Sequence, residues 1–440
     1  MMDLILALGL LFTTASQLRL TSVPVGPGEL VLLVWIAATV GRLLLSGTRL
    51  HTRALSDLLL FWAIFALALS IGMITAMATG EQFDLGLMLH DVAAYGLVAV
   101  VSCLCATPLV HLRRVCWILV ISGAVSLSLQ FAHGMGSISV PGVDPWFWTR
   151  FRGWSENPNQ LAVACLIVAL LAWYLADTAA SFAARSTALL ALIPAIVVGR
   201  MSQSDTFAAA LVAAVPAWFV VKMIAWTRAE RHQSSLHASL GRLAWLALPL
   251  LLLSVAPVVL SEAEGIKRFA MGFAKNGGVE AADEANLRIT LWHQAFERGL
   301  ESAMLGLGPG PHLQIPEEIV AGRVNTVQPI NTSHPTQSGA ANFEAHNTML
   351  DVFTQGGLLA VASFLWLLAQ AAWSAYRSRS AGLMALLAGA ATFMMTGNIV
   401  RQPVFWFAIV LCLCVPVVPI RRRERVPSVQ LAPPATQNPR

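Results

Sequence analysis

Charged residues are scarce in this sequence. Asp, Glu, Lys and Arg together make up 12% of its 440 residues, about half of the ~25% that is usual in soluble domains. Hydrophobic residues, counted as A, V, I, L, M, F, W, Y and C, make up 57%. A chain of this composition cannot cover a globular surface with polar groups, so it must face lipid. The scarcity of charge excludes a cytosolic enzyme, a secreted disulfide scaffold and a disordered chain.

Metal-binding patterns are also missing. No two aspartates form a DxD pair, and neither HxxxH nor HExxH occurs. A divalent cation on oxygen ligands needs clustered carboxylates, so the sequence predicts chemistry that uses no metal and no cofactor. The six cysteines have no CxxC or Cys/His spacing, which is typical of small buried hydrophobes. The net charge of +5 does not indicate a nucleic-acid partner, because the basic residues lie in short segments between apolar runs.

Apolar runs recur along almost the whole chain. A membrane-spanning helix needs about 20 mostly apolar residues, and twelve runs are candidates. They are 2–18, 29–46, 57–78, 85–107, 114–133, 159–176, 186–199, 205–224, 243–260, 347–370, 381–400 and 402–419. We therefore predict an all-α polytopic membrane helix bundle of about twelve spans. The first run has no basic segment before it and no small-residue cleavage site after it, which favours a retained span over a signal peptide.

The arginines between these runs predict how the chain is oriented. If the N-terminus lies inside, every second loop is cytoplasmic, and those loops hold many of the arginines, as the positive-inside rule requires. The residues concerned are Arg42, Arg49, Arg53, Arg113, Arg114, Arg185, Arg228, Arg231, Arg242, Arg377 and Arg379, with Arg421, Arg422, Arg423 and Arg425 in the tail. The outer loop 79–84 has no Lys or Arg. Both termini are therefore predicted to be cytoplasmic, with 421–440 as a basic tail.

A long outer loop separates the predicted spans into nine within 1–260 and three within 346–420. This loop, 261–345, is far longer than a helix connection needs, and loops of such length are usually functional. Within 285–301 five apolar residues share one stripe at helical spacing, which predicts an amphipathic helix. They are Leu287, Leu291, Ala295, Phe296 and Leu300. The Gly/Pro-rich segment 306–312 predicts the turn that ends this helix.

His346 is the leading candidate for a catalytic base. It lies at the predicted boundary between membrane and water, with Glu344 before it and Asn347 after it. Imidazole is the side chain whose unperturbed pKa allows it to take up a proton near neutral pH. The other interpretation is a boundary histidine that is hydrogen-bonded to the backbone.

Five arginines fall on the predicted outer face, where the positive-inside rule does not require them. They are Arg150, Arg152, Arg200, Arg288 and Arg401. A guanidinium near the end of a span needs an anionic partner, and its planar fork matches phosphate oxygens. Several of them around one outer cavity would suit a pyrophosphate. The alternative is that some extend toward lipid phosphates.

Three segments, in this order, together resemble the O-antigen ligase and polymerase family of bacterial inner membranes. The first is RFRGWSENPNQLA at 150–162, similar to the family's Arg-Gly…Asn-Pro-Asn segment. The second is NLRITLWHQAFERGL at 286–300 with LGLGPG at 305–310. The third is EAHNTMLDVFTQGGLL at 344–359, similar to the family's His-Asn…Gly-Leu run. The resemblance covers roughly residues 60–415.

The resemblance implies a reaction and a set of site residues. A glycan on undecaprenyl pyrophosphate would be transferred on the periplasmic face of the inner membrane to an acceptor hydroxyl. His346 matches the family's catalytic histidine and would be oriented by Glu344 or Asn347. Arg288 and Arg200, with Arg152, would hold the diphosphate. Asn159 and Trp154, in the first segment, would contact the substrate elsewhere. Transfer would be metal-independent and inverting.

The acceptor and even the class of function stay open at this point. Lipid A core as acceptor would make the protein a ligase, which the compact loop with its single His-Asn segment favours. Another lipid-linked repeat would make it a polymerase for O-antigen or exopolysaccharide, and a protein acceptor would make it a protein glycosyltransferase. Twelve spans with outer arginines also fit a transporter or flippase for a lipid-linked glycan. A non-catalytic assembly partner is a third class.

Overall fold

The computed structural model describes residues 1–19, 25–46, 52–81, 84–147, 149–230, 279–314 and 341–415. These residues form an all-α bundle with two short two-stranded sheets. The helices are α1 (Met2–Phe12), α2 (Pro27–Ser46), α3 (Arg53–Thr79), α4 (Leu85–Cys105), α5 (Leu112–Gly134), α6 (Pro158–Thr178), α7 (Phe182–Met201), α8 (Asp205–Glu230), α9 (Val279–Glu301), α10 (Thr348–Arg377), α11 (Ala381–Met394) and α12 (Pro403–Cys414). The strands are β1 (Trp146–Phe147), β2 (Arg150–Phe151), β3 (Leu313–Gln314) and β4 (Ala341–Phe343).

Eight helices in the described part of the chain are long and apolar enough to cross a membrane. They are α2 to α8 and α10, and they identify a multi-pass membrane protein. Three further apolar helices, α1, α11 and α12, have 11, 14 and 12 residues. At 1.5 Å per residue each rises about 16–21 Å, less than the ~30 Å of the hydrocarbon core. The predicted span 243–260 lies outside the described residues, so the count of twelve stays a prediction.

Helix α6 is the core of the bundle. Its most apolar stretch is 83% buried, whereas the corresponding stretches of the other long apolar helices are 22–50% buried. It packs against α5, α7 and α11, and small residues permit close approach, as where a Cβ on Gly382 would lie 2.7 Å from the Cα of Tyr174. Small residues at helix interfaces are how membrane helices approach closely. The peripheral helices expose Leu, Ile and Val side chains, which is the surface that lipid requires.

Helix α10 is broken at Gly357, where φ is 63° and ψ is −161°. The break frees the carbonyl oxygens of Thr354 and Gln355, and each accepts a hydrogen bond of 2.8 Å, from the backbone N–H groups of Leu307 and Gly308. The N–H of Leu358 donates in turn to the carbonyl of Met304 at 2.8 Å. The loop after α9 is therefore inserted beside α10. It satisfies backbone groups that could not stay unpaired inside a membrane.

Short connections make the spanning helices alternate in direction, so their ends gather at two opposite ends of the bundle. One end, called the site end below, holds the C-termini of α3, α5, α7 and α11 and the N-termini of α4, α6, α8, α10 and α12. The hairpin of β1 and β2 lies there too. Strands β3 and β4 pair Leu313 with Phe343, which brings both borders of the segment 315–340 to the same place. All predicted site residues fall at this end.

Candidate functional site

The backbone holds His346 in an unusual conformation. Its φ is +51°, a left-handed value that is uncommon outside glycine, although His is among the residues that tolerate it. The residue before it is fixed twice, because Ala345 N–H donates to Asp351 Oδ1 at 2.7 Å and Trp292 Nε1 donates to the Ala345 carbonyl at 3.0 Å. The imidazole is partly exposed. Non-glycine residues held at such angles cluster at active sites.

Asn347 fixes the residue after His346. Its side-chain oxygen caps α10 by accepting from the N–H groups of Met349 and Leu350 at 3.0 and 3.3 Å. Its amide nitrogen donates to the carbonyl of Met395 at 3.1 Å. Asparagine is a preferred helix N-cap for this reason. The orienting role predicted for Asn347 stays a prediction, and these contacts give it a direct task in fixing the backbone beside His346.

Arg401 lies between two carboxylates that belong to different parts of the chain. One guanidinium nitrogen pairs with Asp91 of α4 and the other with Glu344, two residues before His346. The Asp91 side chain is 2% exposed, so a lone charge there would be costly. The role predicted for Glu344 in orienting His346 stays a prediction, and in the structure the Glu344 carboxylate pairs with Arg401. The sequence signal for Asp91 was a carboxylate inside an apolar run.

A polar contact between α4 and α10 lies one helical turn further from the site end than Asp91. Tyr95 of α4 donates its hydroxyl to Gln355 Oε1 of α10 at 2.7 Å. Asp91 and Asp351 each precede this pair by four residues, and both helices start at the site end. Asp351 is 3% exposed. Asp351, Tyr95 and Gln355 were not predicted from the sequence, because none of them belongs to a recognisable pattern of polar residues.

Helix α9 carries Arg288 to the site end. Arg288 is partly buried and lies one turn before Trp292, the residue that bonds to Ala345 beside His346. Leu291 and Ala295 on the same helix are fully buried. An ion pair of 2.8 Å between Arg298 and Glu81 fastens the end of α9 to the tip of α3. Arg288 therefore lies one helical turn from the contact between α9 and the residue before His346.

Arg200 reaches the site end through another element. It is exposed at the end of α7, just before the tight turn that leads into α8. Thr206 in the first turn of α8 lies 2.5 Å, oxygen to oxygen, from Thr396, and the neighbouring Met395 carbonyl accepts from Asn347. This chain of contacts places Arg200 on the same side of the bundle as the segment of His346.

Residues 144–147 and 149–160 form a network of contacts with α5, with α6 and with Gln17 after α1. Arg152 donates to the carbonyl of Asp144 at 3.0 Å, pairs with its carboxylate at 3.3 Å, and lies over the ring of Phe147. Asn159 accepts from Arg150 at 3.0 Å. Among the residues that the structure describes, none offers a hydrogen-bond partner to the buried indole nitrogen of Trp154. The contacts of Arg152 and Asn159 are thus with this network, and their predicted substrate roles stay predictions.

His312 is a further imidazole near the site end. Its Nε2 donates to the carbonyl of Gly308 at 2.8 Å, inside the loop that pairs with the break in α10. Burial lowers the pKa of His312 below its usual value, because the charged form loses water. A neutral imidazole therefore fits this position, and its hydrogen bond to the Gly308 carbonyl stabilises the loop.

The described residues include no group of three or more His, Cys, Asp or Glu side chains that could hold a metal ion. Comparison with family models, with curated proteins and with solved structures finds no match to this chain.

Proposed function

We propose that this protein transfers a glycan from an undecaprenyl-pyrophosphate donor to an acceptor hydroxyl on the periplasmic face of the bacterial inner membrane. The observation that supports it is His346, a partly exposed imidazole whose backbone is held at a positive φ between two fixed neighbours. Arg288 and Arg200 reach the same end of the bundle from α9 and α7. A base and anion-binding groups together suit a transfer whose leaving group is a diphosphate.

The reaction needs one proton transfer and one displacement. The acceptor oxygen attacks the anomeric carbon while the bond from that carbon to the diphosphate oxygen breaks. His346 takes the acceptor's proton, and undecaprenyl pyrophosphate leaves with the bonding electron pair. Arg288 and Arg200 neutralise the charge that grows on the leaving group. Attack opposite to the leaving group inverts the anomeric carbon. A lipid A core acceptor defines a ligase, and a second lipid-linked repeat defines a polymerase.

A transporter of the same lipid-linked glycan is the second candidate. The break in α10 at Gly357 and the buried pair of Asp91 and Arg401 favour it, because transporters often place discontinuous helices and charges at their substrate site. The break, however, is filled by the backbone of the loop 304–308. Because the backbone groups at the break are hydrogen-bonded to the loop, the break fits a packed contact better than an open substrate site. Glycan transfer is therefore the first candidate.

Purified protein tests the proposal when it is given a synthetic undecaprenyl-pyrophosphate glycan and separate acceptors, in nanodiscs for transfer and in sealed proteoliposomes for movement between leaflets. We expect transfer by the wild type and a loss of about 10²–10⁴-fold in the His346→Ala and His346→Gly variants, the range for general-base catalysis. Glycine accepts the positive φ, so His346→Gly removes the imidazole without backbone strain. His293→Ala is the matched control, because His293 is an exposed histidine on α9. Full activity in both His346 variants contradicts the mechanism, and an intact donor that changes leaflet identifies a transporter.

A further inference from the structure

Arg401 connects two parts of the chain that are far apart in sequence. Asp91 lies in the second turn of α4, Glu344 lies at the end of the long loop, and Arg401 stands just before α12. We propose that Arg401 is a positioning residue, which holds the segment of His346 against α4 by bridging Glu344 to Asp91. The transfer arm of this inference rests on the proposed function.

The bridge supplies a constraint that the other contacts lack. Ala345 is fixed by Asp351 of α10 and by Trp292 of α9, and Asn347 is fixed by α10 itself and by Met395. None of these contacts reaches α4. The link through Glu344 and Arg401 adds α4 as a third support, on the N-terminal side of His346. Supports on both sides fix the backbone from which the imidazole of His346 projects.

The geometry of the guanidinium explains why arginine stands here. Its two terminal nitrogens serve two carboxylates at once, a task for a planar fork that a point charge performs poorly. Because carboxylates occupy both terminal nitrogens, we do not expect Arg401 to bind a phosphate group. The side chains of Arg401 and Glu344 are only 19% and 24% exposed, so water screens the pairs weakly. The bridge is thus suited to orientation.

Two variants separate this role from general stability. Glu344→Gln breaks the half of the bridge that reaches the His346 segment and leaves the buried pair of Arg401 and Asp91 intact, so the fold is kept. Arg401→Lys keeps the charge and loses the fork. Arg114→Lys is the control, because Arg114 forms an ion pair of 3.6 Å with Asp3 at the opposite end of the bundle.

Hydrogen exchange gives a readout that does not need activity. We expect the amides of 344–350 to exchange about tenfold faster or more in Glu344→Gln and Arg401→Lys, because local opening becomes easier. The Arg114→Lys control should leave these amides unchanged. Unchanged exchange at 344–350 in both site variants would overturn the bridge. If the wild type transfers no glycan, this arm still tests Arg401, and the proposed function alone fails.

Transfer kinetics give the second readout. A misplacement of about 1 Å at a catalytic group can cost ~10²-fold in rate, so we expect kcat to fall by about tenfold or more while the donor KM changes little. The double variant should be no worse than Arg401→Lys alone, since residues in one network are not additive. A loss confined to the donor KM, or kcat losses that multiply in the double variant, would overturn the positioning role.

Discussion

At the scale of single residues, His346 is held in a left-handed backbone conformation by the contacts of its two neighbours. An imidazole beside predicted outer arginines was visible in the sequence, because residue type alone carries that chemistry. Its left-handed backbone was not, since φ follows from Ala345 and Asn347 being fixed by α9, α10 and Met395. Such a conformation costs of order 1–3 kcal/mol. The surrounding contacts supply that energy, and they come from parts of the chain that are distant in sequence.

The ion-pair partners of Arg401 and Glu344 likewise depend on contacts between distant parts of the chain. Both were recognised as charged residues at a membrane boundary, where a charge needs a partner. For Arg401, sequence alone cannot decide between lipid phosphate, substrate and a carboxylate 310 positions away in the chain. Ion pairs between distant residues depend on which helices are neighbours, and that depends on the whole packing.

His312 provides a test at the residue scale. Burial lowers its pKa in the folded protein, so the unfolded chain binds the proton more tightly. The contribution of His312 to stability is complete above the unfolded value of about 6.5 and is lost as the pH falls below it. We expect thermal unfolding in detergent to shift to lower temperature between pH 7 and pH 5. The shift should be smaller in His312→Gln, which keeps a donor for the Gly308 carbonyl and cannot titrate.

His293→Gln is the control for this pH dependence, because His293 is 72% exposed on α9 and its removal should leave the shift as it is in the wild type. An equal pH shift in the wild type and in His312→Gln would mean that other groups determine the acid sensitivity.

At the scale of elements, the helix predicted at 285–301 was confirmed, and it begins earlier, at Val279. The predicted apolar stripe is only partly buried. Leu291 and Ala295 are buried, whereas Phe296 is 53% exposed and its ring lies near that of Phe353. Periodicity shows that a helix has an apolar side but not which neighbour covers it. Here the contact of Trp292 with Ala345 sets the rotation of the helix.

Helix α1 ends sooner than the predicted run 2–18, at Phe12. The hydroxyls of Thr13 and Thr14 donate to the carbonyls of Leu10 and Leu11 at 2.8 and 2.7 Å. Gln17 then bonds to three carbonyls of the segment 144–155. Hydropathy cannot show this end, because the contacts that stop the helix come from a segment more than 120 residues away.

The joint between α3, the loop after α9 and the break in α10 provides the test at this scale. A Cβ on Gly72 would lie 2.4 Å from the Gln355 carbonyl oxygen and 2.6 Å from the Gly308 nitrogen. Both are backbone atoms, so the helices would have to separate. We expect Gly72→Ala to destabilise the protein by roughly 1–3 kcal/mol, the usual cost of overpacking, as a lower unfolding temperature in detergent.

Gly41→Ala is the matched control, because a Cβ at Gly41 on α2 meets nothing within 4 Å. Alanine favours the helix over glycine by about 0.8–1.0 kcal/mol, so this variant should be as stable as the wild type or more stable. A Gly72→Ala protein that is equally stable would show that the joint is loosely packed.

At the scale of the whole molecule, composition and hydropathy predicted the class correctly, an all-α membrane bundle. Most span positions agree with the helices because the hydrocarbon core sets a length that any spanning run must meet. The arrangement of those helices could not be predicted in this way. Lipid-facing and buried positions are similarly apolar in a membrane, so the burial of α6 among its neighbours leaves little trace in sequence.

The orientation of the bundle is the prediction on which the outer location of the site depends. Several of the arginines that were assigned to inner loops lie at the end opposite the site end. They include Arg53 at the start of α3, Arg113 and Arg114 at the start of α5, and Arg185 near the start of α7. By the positive-inside rule that end is predicted to be cytoplasmic. His346 is then expected to face the periplasm, where an exported lipid-linked glycan would meet its acceptor.

Single cysteines at the two ends test this orientation. Ser139, just after α5, is exposed at the site end, and Ala180, between α6 and α7, is exposed at the other. The native cysteines are buried or partly buried, so background labelling should be small and measurable in the parent protein. We expect a membrane-impermeant maleimide to label Ser139→Cys in cells with a permeabilised outer membrane, and to label Ala180→Cys only after lysis. The reverse pattern would place His346 and the arginines in the cytoplasm, where transfer to a periplasmic acceptor is impossible.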